Sequence, residues 1–99
     1  MKTGTYQILR GLYTGAKRFT ELEDSVPTKT LADRLKELEN SGYISRVILK
    51  TRPPRTEYRI TMRGGEKFKE LVLQSAPDYV EDLFLVAPEK AKEILTKYR

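Results

Sequence analysis

The sequence predicts a mainly helical α+β domain, in which three helices are followed by a β-hairpin and then by further helices, in one unit of 99 residues. Two observations predict it. Apolar residues recur three and four apart over 6–38 and again beyond 64, which is the period of amphipathic helices. Between those stretches, residues 44–62 switch to β-branched and alternating apolar positions around a Pro-Pro dipeptide, the pattern of two strands and a stiff connection.

Each element has its own signals. Tyr6, Ile8, Leu9, Leu12 and Tyr13 predict a first helix over 5–14, stopped at Gly15. Phe19, Leu22 and Val26 predict a short second helix over 18–25, ended by Pro27. The third is marked most clearly, with Thr28 as N-cap, Leu31, Leu35 and Leu38 on one face, and Gly42 as a left-handed stop. Residues 44–50 and 57–62 are read as strands, with Tyr58, Ile60 and Met62 on one side. The tip at 51–56 contains Pro53 and Pro54, which exclude both helix and internal ladder positions. Phe68, Leu71, Val72 and Ser75 predict a helix capped by Thr61 and broken by Pro77. Tyr79, Val80, Leu83 and Phe84 begin another, Pro88 interrupts it, and Ala91, Ile94, Leu95 and Tyr98 mark a last one. Residues 1–63 are thus the core with its hairpin, and 64–99 the added helices.

Absences narrow the chemistry. Without Cys there is no thiolate nucleophile, iron–sulfur cluster, disulfide or Cys-based zinc site; without His, the usual neutral-pH base and commonest metal ligand are missing. No cofactor, no metal site and no enzymatic activity are expected. The longest apolar run, 83–87, is five residues, far short of the roughly 20 that cross a bilayer. A soluble cytoplasmic protein with no membrane partner is expected.

The net charge of +5 is unevenly placed. Residues 64–99 carry six bases against seven acids, whereas Arg46, Lys50, Arg52, Arg55, Arg59 and Arg63 face only Glu57 within 44–63. Such a basic segment suits phosphate binding, because each neutralised phosphate releases counterions; a solvated strand pair is the plainer alternative. Two short helices, the second followed at once by a basic hairpin, form the arrangement of a winged helix-turn-helix. With the leucine stripe inward, Lys29, Asp33, Lys36, Glu37 and Asn40 point outward and Thr30 and Arg34 flank them, at about 100° per residue. The helix N-terminus, with the Thr28 and Thr30 hydroxyls, would also favour a phosphate. An ordinary surface helix with locally paired charges is the competing explanation.

The runs Gly15-Ala16-Lys17-Arg18-Phe19-Thr20-Glu21-Leu22, Leu31-Ala32-Asp33-Arg34-Leu35-Lys36-Glu37-Leu38-Glu39, Gly42-Tyr43-Ile44-Ser45-Arg46 and Pro53-Pro54-Arg55-Thr56-Glu57-Tyr58-Arg59-Ile60-Thr61 resemble the HxlR family of winged-helix transcriptional regulators. The MarR-, ArsR- and PadR-like regulators share that architecture. The resemblance implies a homodimeric regulator of double-stranded DNA, probing a pseudo-palindromic operator with one recognition helix and one wing per subunit. Members usually carry an extra N-terminal segment with a cysteine. This chain starts close to its first helix and holds no Cys, so thiol sensing is excluded and the C-terminal stripes are expected to supply more of the dimer interface.

The candidate residues divide by role. Lys29, Thr30, Asp33 and Arg34 are assigned to base reading, Arg34 as a guanine ligand because its fork matches two acceptors. Lys17, Arg18, Thr28, Lys36, Arg52 and Arg55 are assigned to phosphate, while Arg46 and Arg59 are left aside as possible hairpin ion pairs. Leu73, Tyr79, Leu83, Leu85, Ile94, Leu95 and Tyr98 are the candidate dimer contacts, because a three-helix core with a hairpin cannot readily cover all the apolar residues of 68–98. A protein-interaction adaptor and a non-specific nucleic-acid binder remain as rival functions. The operator and any effector ligand are not legible.

Overall fold

A computed structural model describes residues 3–75 and 80–97. The chain runs α1 (Thr5–Tyr13), β1 (Lys17–Arg18), α2 (Phe19–Leu22), α3 (Thr28–Asn40), β2 (Ile44–Leu49), β3 (Arg55–Ile60), α4 (Met62–Ser75), α5 (Val80–Val86) and α6 (Pro88–Lys97). The α+β, mainly helical class is therefore found, with three strands rather than two. They form one antiparallel sheet in the order β1-β3-β2. Lys17 lies opposite Tyr58, and the hairpin register runs from Ile44 opposite Ile60 to Leu49 opposite Arg55.

One core holds the helices together. Ile8, Leu9 and Leu12 of α1, Leu31 and Leu35 of α3, and Phe68 and Val72 of α4 are almost completely buried. Phe68 sits between the rings of Tyr6 and Tyr13, with centroids 5.4 and 4.9 Å away, distances typical of favourable aromatic pairs. The three-and-four spacing legible in the sequence thus faces a common interior, where each large side chain contributes about 1.5–3 kcal/mol.

Turn chemistry sets how α3 hands over to the sheet. Gly42 adopts φ +79°, the Tyr43 N–H donates to the Leu38 carbonyl and the Gly42 N–H to that of Glu39, a complete Schellman stop. Thr61 caps α4 as expected: its hydroxyl accepts from the Gly64 N–H at 3.0 Å and donates to the Gly42 carbonyl at 2.7 Å. That hydroxyl ties the end of α3 to the start of α4 across the sheet.

Several boundaries differ from expectation. The N-cap of α3 is Pro27, and Thr28 is the first helical residue, because the Thr28 hydroxyl donates to the Glu23 carboxylate at 2.7 Å instead of capping. The second helix is Phe19–Leu22 rather than 18–25: Arg18 is drawn into the sheet by β3, and residues 23–25 form a turn. Met62 begins α4 instead of ending the strand and is 86% exposed. Pro77 and its proposed break lie outside the described residues.

One buried polar cluster joins the two halves of the chain. Asp82 of α5 is 5% exposed, and its carboxylate accepts from the Tyr6 hydroxyl at 2.5 Å and the Arg10 Nε at 2.7 Å. Burying a charge is tolerated when it is paired and hydrogen-bonded in this way. The hydrogen bond and the charge of Asp82 raise the Arg10 pKa above its ordinary value.

Candidate nucleic-acid interface

The leucine stripe of α3 is buried, so its opposite side is held out to solvent: Lys29, Ala32, Asp33, Lys36 and Asn40 are all exposed. Thr30 and Glu37 are half-buried at the edges of that row. The hairpin carries the second set of charges. Arg52, in the loop after β2, and Arg55, at the start of β3, are exposed, and the Thr51 hydroxyl donates to the Pro53 carbonyl at 2.7 Å across the tip.

Register sorts the wing into two faces, since directly opposed residues of an antiparallel pair share a side. Ile44, Arg46 and Ile48 with Ile60, Tyr58 and Thr56 lie on one, and Arg55, Glu57 and Arg59 with Leu49, Val47 and Ser45 on the other. Lys17 falls on the Tyr58 side and Arg18 on the Glu57 side. Arg55 and Arg46 are therefore on opposite faces, and the wing's cations do not form one flat patch. Arg59 is bound by Glu57 on its own strand at 3.2 Å.

The Arg46 side chain reaches toward α3 and meets Glu39 at 4.0 Å. Between helix and sheet lies an open cleft of about 360 Å³ whose lining includes Phe19, Leu35, Lys36, Asn40, Arg46 and Tyr58. Strand alternation could have placed Arg46 on the helix side of the hairpin; what the sequence could not supply was the register of that hairpin against α3.

Two assigned side chains are committed within the chain. The Arg34 Nε donates to the Thr3 carbonyl at 3.1 Å and its terminal nitrogen pairs with Glu37 at 2.8 Å. With only 19% of its side chain accessible, Arg34 is not a free fork over a groove. The Thr28 hydroxyl is likewise held by Glu23. Among the dimer candidates, Leu83 faces inward from α5 and is fully buried in its own core, which leaves it no surface to offer a second copy. Leu73 and Ile94 are partly buried and pack on that same core. Leu85 and Leu95 are 44% and 42% exposed, and Phe84, which the periodicity put on the inward stripe, is 40% exposed. Tyr79 and Tyr98 lie outside the described residues.

A helical core, a hairpin wing closed by a third short strand, and an outward-facing third helix define a winged helix-turn-helix domain. A family model described as HxlR-like helix-turn-helix matches residues 3–84, and the chain belongs to that family. An uncharacterised HTH-type transcriptional regulator of Synechocystis is 45% identical over 62 residues, covering 60% of this chain and 46% of the relative. The regulator YodB of Bacillus subtilis is 38% identical over 60 residues, covering 58% and 54%. The chain thus spans about half the length of the curated relatives it matches. The structure of reduced YodB superposes with a TM-score of 0.65 at 29% identity over 88% of this chain and 84% of that one. The Bacillus subtilis PadR–operator DNA complex shares the fold, with a TM-score of 0.67 at 18% identity over 77% and 50%. No helix among the described residues is long and apolar enough to cross a membrane.

Proposed function

We propose that this chain is a sequence-specific regulator of transcription that binds double-stranded DNA as a homodimer and represses by occupying a promoter. The observation that carries this is the exposed row Lys29, Asp33 and Lys36 on a helix whose other side is locked into the core. A helix presented in this way fits the major groove, and its first two turns reach base edges. Lys29, Thr30 and Asp33 read bases, Asp33 by accepting from a cytosine amino group. Lys36, Lys17, Arg18, Arg52 and Arg55 hold phosphate, and the helix-turn-helix architecture of the named relatives supports the same reading. Arg34 acts at a distance from the bases by fixing the start of the chain to α3.

Phe84, Leu85 and Leu95 supply apolar surface on α5 and α6 for a second copy. A two-fold pair places its half-sites about one helical turn apart, roughly 34–36 Å. Selection of bound duplexes from a random pool, with the solution mass measured alongside, tests both parts. Recovery of a pseudo-palindromic motif by a dimer is the expected result; equal affinity for unrelated duplexes would sink sequence-specific regulation.

A further inference from the structure

The cleft between α3 and the hairpin contains a cation, Arg46, that the contacts proposed above do not use. Lys36 and Asn40 line it from the helix and Arg46 from β2, with Phe19 and Tyr58 as its apolar walls. Its one lining acid, Glu39, stands 4.0 Å from the Arg46 Nε, and both side chains are about half exposed at 40% and 53%. An ion pair so open and so long is worth little. A guanidinium gains more from a phosphate that it can grip with two parallel N–H bonds. Low-dielectric walls beside the two cations strengthen the attraction further.

We propose that this cleft holds one backbone phosphate of the bound duplex, with Arg46 as its ligand and Glu39 as the carboxylate that Arg46 releases on binding. The assignment rests on the DNA-binding role proposed above and adds a contact to it. Lys36 and Asn40 belong both to the exposed row of α3 and to the cleft lining. A strand bordering a groove that α3 enters must therefore pass over the cleft before it reaches the wing. Glu39 then serves as an internal substitute for phosphate, keeping Arg46 aimed at the cleft in the free protein and lowering affinity for every duplex alike.

The test uses the full chain and a mixed-sequence duplex of about three helical turns, with circular dichroism to confirm that each variant is folded. Arg46→Gln should weaken binding roughly five- to tenfold at moderate salt and flatten the salt slope by about 0.9, with partial rescue by Arg46→Lys, which keeps the charge but loses the fork. Glu39→Gln should tighten binding about threefold, as expected for removing a competing ion pair, and by clearly less in the Arg46→Gln background, where only the direct repulsion between carboxylate and duplex is relieved. On a duplex recovered by selection, a neutral methylphosphonate should weaken the wild type at one backbone position per half-site and leave Arg46→Gln unaffected. An equal gain from Glu39→Gln in both backgrounds would overturn the exchange. Displacement of duplex by inorganic phosphate at constant ionic strength, with no single sensitive methylphosphonate, would assign the cleft to a free anion and overturn the proposal. A chain that binds DNA but ignores Arg46→Gln sinks this assignment alone, whereas one that binds no duplex sinks the function beneath it.

Discussion

Two adjacent glycines in the first turn of α4 should respond to alanine with opposite signs. A Cβ built on Gly64 falls 1.9 Å from the Tyr43 carbonyl oxygen and 2.8 Å from the Ile60 Cγ1. The same carbonyl accepts the Thr61 N–H at 3.0 Å, and the Gly64 N–H is itself bound to the Thr61 hydroxyl. Relieving the clash therefore pushes apart β2, α4 and the cap together. Overpacking of this kind costs about 1–3 kcal/mol, and a strained or lost hydrogen bond adds about 1 kcal/mol. Improved helix propensity returns at most about 1 kcal/mol, so Gly64→Ala should destabilise by roughly 2 kcal/mol. At about 4–8 °C per kcal/mol for a domain of this size, Tm should fall by roughly 10 °C. A Cβ on Gly65 meets nothing closer than a Tyr13 ring carbon at 4.0 Å, so Gly65→Ala should be neutral or stabilising by up to about 1 kcal/mol. Urea unfolding followed by far-ultraviolet circular dichroism, at matched protein concentration because association shifts apparent stability, gives both numbers. A Gly64→Ala protein as stable as wild type, or a Gly65→Ala protein that loses as much, would refute the close approach of α4 to β2.

Further predictions address the buried Asp82–Tyr6–Arg10 cluster that latches α5 to α1, the wing, the dimer and Arg34. Asp82→Ala strips the acceptor from two charge-assisted bonds and should cost about 2 kcal/mol, mostly from the buried Tyr6 side because Arg10 is half exposed, with hydrogen exchange in α5 and α6 rising before that in α3; a loss below about 0.5 kcal/mol would mean the cluster is not structural. The raised Arg10 pKa gives a stabilisation fully present below the ordinary arginine value and lost only as pH climbs above it, so from the arginine side the pair with Asp82 holds throughout the neutral range. Arg52→Ala with Arg55→Ala should weaken binding to all duplexes and flatten the salt slope by about 0.9 per lost contact; an unchanged slope in anisotropy titrations removes both from the interface. Leu85→Glu should convert a dimer to monomer in sedimentation, because a charge at the exposed apolar patch opposes its burial. Arg34→Ala should lower stability by about 1 kcal/mol through its two internal partners and leave the selected motif unaltered; a relaxed motif would return Arg34 to base reading.

Local signals carried most of the architecture. The α3 stripe, the Gly42 stop and the Thr61 cap all depend on residues within a turn or two of one another, and all three are found. The strand β1 is not legible in the sequence, because two residues are too few to show alternation and only pairing with β3 defines it. Residue type favours Thr28 as a cap, but Glu23, five positions earlier, takes its hydroxyl instead.

What the sequence by itself determined is the set of helices and the two strands of the hairpin, the buried face of α3 and the excess of cations near that hairpin, since periodicity, propensity and charge are written residue by residue. The tertiary structure decided which of those charges are available. Arg34 is engaged by Thr3, thirty-one positions away, Arg46 meets Glu39 only once β2 has docked on α3, and Asp82 finds Arg10 seventy-two positions earlier. These three partners are set by where the chain returns in space, and no spacing along the sequence encodes that return, unlike the i,i+3 pair of Arg34 with Glu37.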